Sequence, residues 1–368
     1  SRTADMLRTT VAGIDLECCV YNASGPRTGS VEALAKIASS KAGAVVSKSA
    51  TLLKQDGNPL PRFVNKVELG EYCQGSINSE GLPNSGIDYY ISAEATAAIQ
   101  ACGKPYIISL SGLSLADNLD MLGRAYAAPG VSAIELNLAC PNIPGKPVVA
   151  YDFEQMEAVL RAVTAHPEYG KVPLGVKLAP YFDMPHFAKA AQLLARYPVR
   201  FVTCINTIGN ALFVDADNEC EAIAPKQGLG GLGGGFVKHS ALANVRMMSK
   251  CLQAEGADID VVGVGGVSSG RDAFELILCG AAAVQVGTCH WTEGAGCFER
   301  IASELEGIMK EKGYSSIEDF RGKIKPFVRP KRGEKKKEEE KVVVKSSPMY
   351  LYAIIALLLA VIVALVGK

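Results

Sequence analysis

The sequence predicts an α/β fold in which eight strand–helix units close into a parallel (β/α)8 TIM barrel, with a single apolar helix appended near the C-terminal end. Three observations carry this expectation. Short β-branched runs alternate with helical patterns at intervals of roughly 25 to 45 residues, the signature of βαβ units. Eight such runs fit within about 320 residues, which suits a closed barrel better than an open doubly wound sheet. The chain has 368 residues and is 48% hydrophobic, enough to bury one large core.

Taken in order, the runs are CCVYN (18–22), GAVVSK (43–48), YIISL (106–110), AIELN (133–137), PLGVKL (173–178), FVTCIN (201–206), VVGVGG (261–266) and AAVQVG (282–287). Each precedes a stretch with helical periodicity. The segment before Cys18 and the stretch between Asn206 and His239 are additions to the plan.

In such barrels the chemistry sits at the C-terminal ends of the strands, and there this chain is polar. Asn22 and Ser24 follow the first run, Lys48 ends the second, and Ser109 and Ser111 close the third. Asn137, Lys177 and Asn206 end the fourth, fifth and sixth, whereas the last two end in Gly265, Gly266, Gly287 and Thr288. Glycines after the final two strands let backbone N–H groups approach a phosphate, although glycine pairs also make ordinary tight turns. Lys48 and Lys177 each terminate an apolar run, which favours a buried cationic role over a surface one. The run GLGGLGGG (228–235) reads either as a flexible loop or as part of the site.

Charge narrows the functional classes. Basic and acidic residues balance at 38 each, which removes any whole-chain argument for nucleic acid. The balance conceals a basic end, because 329–368 holds nine Lys or Arg against four acidic residues. Eleven cysteines, an odd number without a C-x-x-C pair, indicate a reducing compartment and no structural zinc. The four histidines lack ligand spacing, so no metal site is expected. Cys18, Cys19, Cys204, Cys251 and Cys279 read as small core residues. Cys140 differs, lying three residues past Asn137 in a loop with three prolines, at the barrel mouth. A thiol there can act as nucleophile or base, since its unperturbed pKa of about 8.5 is near working pH.

Three segments are expected: a catalytic barrel over 1–328, a charged linker over 329–348 and a transmembrane helix over 349–366. Met349 to Val366 carries no charge, and a helix of eighteen residues is roughly 27 Å long, close to the ~30 Å hydrocarbon core of a bilayer. Lys335, Lys336, Lys337, Lys341 and Lys345 precede this stretch and only Lys368 follows it, which leaves the body facing the cytosol. With two residues after the span, insertion after translation is expected, as for tail-anchored proteins.

At the Cys140 loop a family resemblance enters. ELNLACPNIPGKP (135–147), with NASG (22–25), SKS (47–49), GNPLPR (57–62), SINSEGLPN (76–84), GVKLAPYFD (175–183), INTIGN (205–210), PKQGLGGLGG (225–234) and QVGT (285–288), closely resembles class 1A dihydroorotate dehydrogenase over about 7–328. The resemblance implies a homodimeric flavin mononucleotide (FMN) enzyme of pyrimidine (UMP) synthesis, oxidising (S)-dihydroorotate to orotate, with fumarate as acceptor. It implies a flavin site of Ala23, Ser24, Gly25, Lys48, Ser49, Asn137, Lys177, Ile205, Gly234, Gly265, Gly266, Gly287 and Thr288. It implies orotate contacts from Lys48, Asn78, Ser79, Glu80, Gly81, Leu82, Asn137, Asn142, Asn206 and Thr207, with Cys140 as catalytic base. Asparagine amides suit this task, because they both donate to and accept from an imide edge. Lys177 beside the flavin would favour its anionic reduced form.

The chain also departs from the family. GEYCQ (70–74) looks like an insertion, Thr207 replaces a usual serine, and Ala211 a usual glycine. Glu80 stands where the family usually has methionine, and its carboxylate would repel an anionic substrate unless it points to solvent, so only its backbone is expected to face the ligand. The apolar tail keeps a membrane quinone open as acceptor. The alternatives to this reading are another barrel flavin reductase acting on a pyrimidine or enone, or a catalytically dead scaffold.

Overall fold

The computed structural model describes residues 6–65, 75–140 and 148–327. Eight parallel strands form its centre: β1 (Val20–Asn22), β2 (Val45–Val46), β3 (Tyr106–Leu110), β4 (Ala133–Asn137), β5 (Leu174–Leu178), β6 (Phe201–Cys204), β7 (Asp260–Val264) and β8 (Ala283–Val286). Seven of the eight fall inside the runs read from the sequence and β7 begins one residue earlier, at Asp260, because strands covered on both faces must be apolar almost throughout. Their order in the sheet is β1-β8-β7-β6-β5-β4-β3-β2, so every strand except those at the seam lies beside its neighbours in the chain.

The seam between β1 and β2 closes by an unusual device. Gly43 N–H donates to Val20 O at 2.9 Å. The Asn22 side chain then takes the place of a strand, its Oδ1 accepting from Val46 N–H at 2.9 Å and its Nδ2 donating to Val46 O at 2.7 Å. A Cβ on Gly43 would lie 1.7 Å from Cys18 O, so only glycine permits this approach. Asn22, expected on the polar rim, is therefore a closing residue whose amide is already satisfied.

Helices α1 (Val31–Ala38), α2 (Ala93–Gln100), α3 (Leu115–Ala127), α4 (Phe153–Thr164), α5 (Met184–Ala195), α6 (Lys238–Ala254), α7 (Gly270–Leu278) and α8 (Gly296–Lys312) ring the sheet. Ser30, Ser92, Ser114, Asp152, Asp183 and Ser269 start six of them, each side chain accepting a backbone N–H of the first turn. Gly313, in the left-handed region at φ +75, ends α8. On α1 the buried positions Val31, Leu34, Ile37 and Ala38 recur at helical spacing and face the sheet.

Two additions cover the barrel ends. An antiparallel hairpin, Thr9–Val11 with Ile14–Leu16, lies across the N-terminal end, where Thr9 Oγ1 donates to Ala282 O at 2.9 Å and Ala12 N–H to Asp260 Oδ2 at 2.8 Å. At the other end stands a four-stranded antiparallel sheet, ordered Ile208–Leu212, Leu229–Gly234, Gly75–Asn78 and Phe63–Asn65. The stretch after Asn206 was expected as an addition; the two strands supplied from between β2 and β3 were not. The glycine run is a strand within this sheet. A Cβ on Gly231 would fall 2.1 Å from Thr207 Oγ1, and one on Gly230 2.6 Å from Asn78 O, so the glycines allow close packing.

The barrel body is one compact unit, Ser1–Ile324. No helix among the described residues is long and apolar enough to cross a membrane. The expected linker and membrane helix (329–348 and 349–366), the insertion at 70–74 and Asn142 lie outside the described residues.

Candidate active site

At the C-terminal ends of the strands opens a cavity of about 520 Å³, within the ~300–1,000 Å³ range of cofactor clefts. Its lining includes Ala23, Ser24, Gly25, Lys48, Ser49, Asn78, Glu80, Gly81, Leu82, Asn137, Cys140, Lys177, Ile205, Asn206, Thr207, Gly234, Gly265, Gly266, Gly287 and Thr288. The sequence reading therefore brought together residues that span most of the barrel's circumference.

One end of the cavity is made of backbone. After β7 the chain turns through Gly265 at φ +132 and Gly266 at φ +72, conformations that side chains rarely adopt. A Cβ on Gly266 would meet Lys238 Cα at 2.8 Å, and one on Gly265 the Ala241 side chain at 2.7 Å. Lys238 is itself fixed by ion pairs with Asp272 at 2.5 Å and Glu275 at 2.8 Å. Thr288, after β8, exchanges a 2.9 Å hydrogen bond with Ser76 and so ties this end to the four-stranded sheet.

The other end is made of side chains. Lys48 is 7% and Lys177 4% exposed, and both line the cavity. Burial pushes the Lys48 ammonium below its ordinary value, opposed by the charges of Glu80 and Cys140. Burial does the same to Lys177, opposed by Glu135. Between them runs a polar chain. Ser49 Oγ lies 3.1 Å from Ser24 Oγ and 2.9 Å from Ser109 Oγ, and it accepts from Asn137 Nδ2 at 3.2 Å. Asn137 Oδ1 accepts from Asn206 Nδ2 at 3.2 Å and from Ala139 N–H at 3.1 Å. The amide planes of Asn137 and Asn206 are thus set before any ligand arrives. Cys140, half-buried, lies three residues beyond Asn137 at the cavity wall.

Two expectations need correction. Ser79 is fully buried but does not line the cavity; its N–H donates to Arg62 O at 2.8 Å and its carbonyl accepts from Asn58 Nδ2 at 2.8 Å. Extended backbone sends alternate side chains to opposite faces, so Asn78 and Glu80 reach the cavity and Ser79 does not. Glu80 does not point to solvent. Its side chain is 12% exposed and its Oε2 lies 3.3 Å from Arg62 Nε, so a guanidinium, not water, neutralises the carboxylate.

Sequence reading missed further residues. Glu135, inside the barrel, accepts from Thr203 Oγ1 at 2.7 Å and from Gln285 Nε2 at 3.0 Å and supplies the negative charge nearest Lys177. An acidic residue inside an apolar strand run was the available signal. Across the mouth Phe63 packs on Trp291 with ring centroids 4.3 Å apart, and the Arg27 guanidinium lies 4.9 Å over the same indole. No sequence motif joins these three.

Residues 6–309 match the family model for dihydroorotate dehydrogenase. Among curated relatives, dihydroorotate dehydrogenase A (fumarate) of Lactococcus lactis subsp. lactis is 46% identical over 321 residues, 87% of this chain and 99% of the relative. The probable dihydroorotate dehydrogenase A (fumarate) of Streptococcus pneumoniae is 45% identical over 318 residues, 86% of this chain and 98% of the relative. Among solved structures, ligand-free DHODH from Eimeria tenella shares the fold with a TM-score of 0.70 at 20% identity, covering 89% of this chain and 94% of that one. Sequence, barrel and cavity agree, and the chain belongs to the dihydroorotate dehydrogenase family.

Proposed function

We propose that this chain oxidises (S)-dihydroorotate to orotate for UMP synthesis, with FMN as prosthetic group and fumarate as electron acceptor. Support for the reaction and acceptor comes from relatives named dihydroorotate dehydrogenase A (fumarate), matched over 98–99% of their length. The observation that carries the site is the meeting of two buried lysines, two pre-oriented asparagines and Cys140 on one cavity.

The residues present fit FMN. Gly265, Gly266 and Gly287 offer a backbone cradle for a phosphate, and a Cβ on Gly287 would meet nothing nearer than Ala23 at 4.0 Å, so the cradle is open. Lys48, Ser49, Asn137 and Lys177 would hold the ring system, with Ala23, Ser24, Gly25, Ile205, Gly234 and Thr288 shaping its walls. When bound, the flavin supplies a two-electron acceptor for the hydride from C6 of the substrate.

Cys140 removes the proton from C5, a general-base contribution of ~10² to 10⁴ in rate. Asn78, Asn137, Asn142 and Asn206, with Thr207, pair with the imide edge and carboxylate. Lys48 offsets the substrate's negative charge. Single-turnover mixing tests this reading, because Cys140→Ala should bind orotate and yet transfer hydride slowly.

The apolar stretch 349–366 is proposed as a membrane anchor, supported by its length, its lack of charge and its basic flank. It favours a quinone as the second acceptor to test. A homodimer is the assembly the resemblance implies, to be checked by sedimentation.

A further inference from the structure

Glu80 sits in a position where a carboxylate should harm anion binding, and its surroundings explain how it is retained. Arg62, its partner, is held from the far side: Nη1 donates to Asp56 O at 2.7 Å and to Asn58 O at 3.0 Å. The enclosing loop leaves no slack, since a Cβ on Gly57, at φ +81, would fall 2.7 Å from Arg62 Nη1 and 2.6 Å from Glu80 O. Asn58 N–H donates to Glu80 O at 2.9 Å, which fastens the two segments. Both side chains are mostly buried, 21% exposed for Arg62 and 12% for Glu80. The Glu80 carboxylate feels two described cations, Lys48 through its charge and Arg62 as an ion pair at 3.3 Å.

We propose that Glu80 is a specificity-determining residue which withholds Arg62 from anion recognition, so that the affinity for a carboxylate-bearing ligand is set by Lys48 and the asparagine amides. With the carboxylate present, Arg62 and Glu80 contribute no net charge at this wall. Without it, the fixed guanidinium, which lines the adjoining cleft that Glu80 and Lys48 share with the cavity, keeps its charge unpaired and a repulsive charge is gone. Both changes strengthen anion binding, and at an effective dielectric of ~20 a unit charge roughly 12 Å away shifts affinity by about tenfold. The effect belongs to charge, so a neutral ring of the same shape should not feel it. This inference rests on the dihydroorotate reading of the cavity.

The test is calorimetric titration of the flavin-loaded full chain with orotate and with uracil, which lacks the carboxylate. Glu80→Gln and Glu80→Met should each bind orotate about tenfold more tightly while uracil binding stays unchanged. Arg62→Gln, which leaves Glu80 unpaired, should weaken orotate binding, and Arg62→Gln with Glu80→Gln should return it close to the wild-type value. Unchanged or weaker orotate binding in both Glu80 variants overturns the proposal. So does an equal gain for uracil, or orotate binding clearly tighter than wild type in the double variant that lacks Arg62. A wild-type chain that binds no orotate overturns the dihydroorotate reading itself, and this inference with it.

Discussion

The two ends of the cavity are built from different materials. At the β7–β8 end, geometry is fixed by glycines whose missing Cβ atoms leave room for neighbours such as Lys238 and Ala241. At the β2–β6 end it is fixed by side chains that hydrogen-bond one another, from Ser24 through Ser49 and Asn137 to Asn206. A backbone cradle accepts almost no substitution. Side-chain walls tolerate change more readily, and outside this lattice but on the same cavity lining as Lys48 the chain carries Glu80 paired with Arg62.

The largest effect should come from the side-chain end. Cys140→Ala should slow flavin reduction by ~10² to 10⁴ while orotate still binds, and Cys140→Ser should recover part of the rate at alkaline pH. Stopped-flow reduction at several pH values checks both, and an unchanged rate in the alanine variant removes Cys140 from the mechanism.

A change at the backbone end should act on cofactor retention instead. Gly266→Ala forces a Cβ to within 2.8 Å of Lys238 Cα at φ +72, and a non-glycine residue held in such a region costs ~1–3 kcal/mol before the clash is counted. Flavin content per chain, read from absorbance, should fall sharply. Full flavin content would show that the cradle yields more easily than its contacts indicate.

Asn206→Ala should sharpen the contrast from the other side. It leaves a ligand group unpaired and Asn137 Oδ1 with only the Ala139 N–H, a loss of ~1–3 kcal/mol in orotate affinity, with flavin content retained. If flavin is lost instead, the two ends are not separable. The smallest effect should follow truncation after Val328, where turnover with fumarate should persist while association with membranes disappears. Turnover lost with flavin reduction intact would favour a quinone.

The same contrast explains what was legible in the sequence. Backbone constraints leave a direct record, so Gly265, Gly266 and Gly287 were readable as strand-end glycines, and Lys48, Asn137 and Lys177 as polar residues closing apolar runs. The barrel followed from eight runs that had to be apolar on both faces. Side-chain direction left no such record. Ser79 and Glu80 are adjacent, and only the register of the Gly75–Asn78 strand settles which one faces the cavity. Arg62 and Glu80 are 18 residues apart in the chain and meet because Phe63–Asn65 pairs with Gly75–Asn78, strands too short and mixed to stand out. Asn22 looked like a ligand residue because it ends a strand, yet the same position lets its amide close the barrel seam.

The central claim is that this cavity oxidises dihydroorotate through a bound flavin and passes the electrons to fumarate. Anaerobic mixing of the purified full chain with (S)-dihydroorotate, followed by fumarate, tests it most directly. The account predicts bleaching of the flavin absorbance with formation of one orotate per flavin, then full return of colour on adding fumarate. A flavin that stays oxidised with dihydroorotate, while a different pyrimidine or enone couple changes its colour, would contradict it.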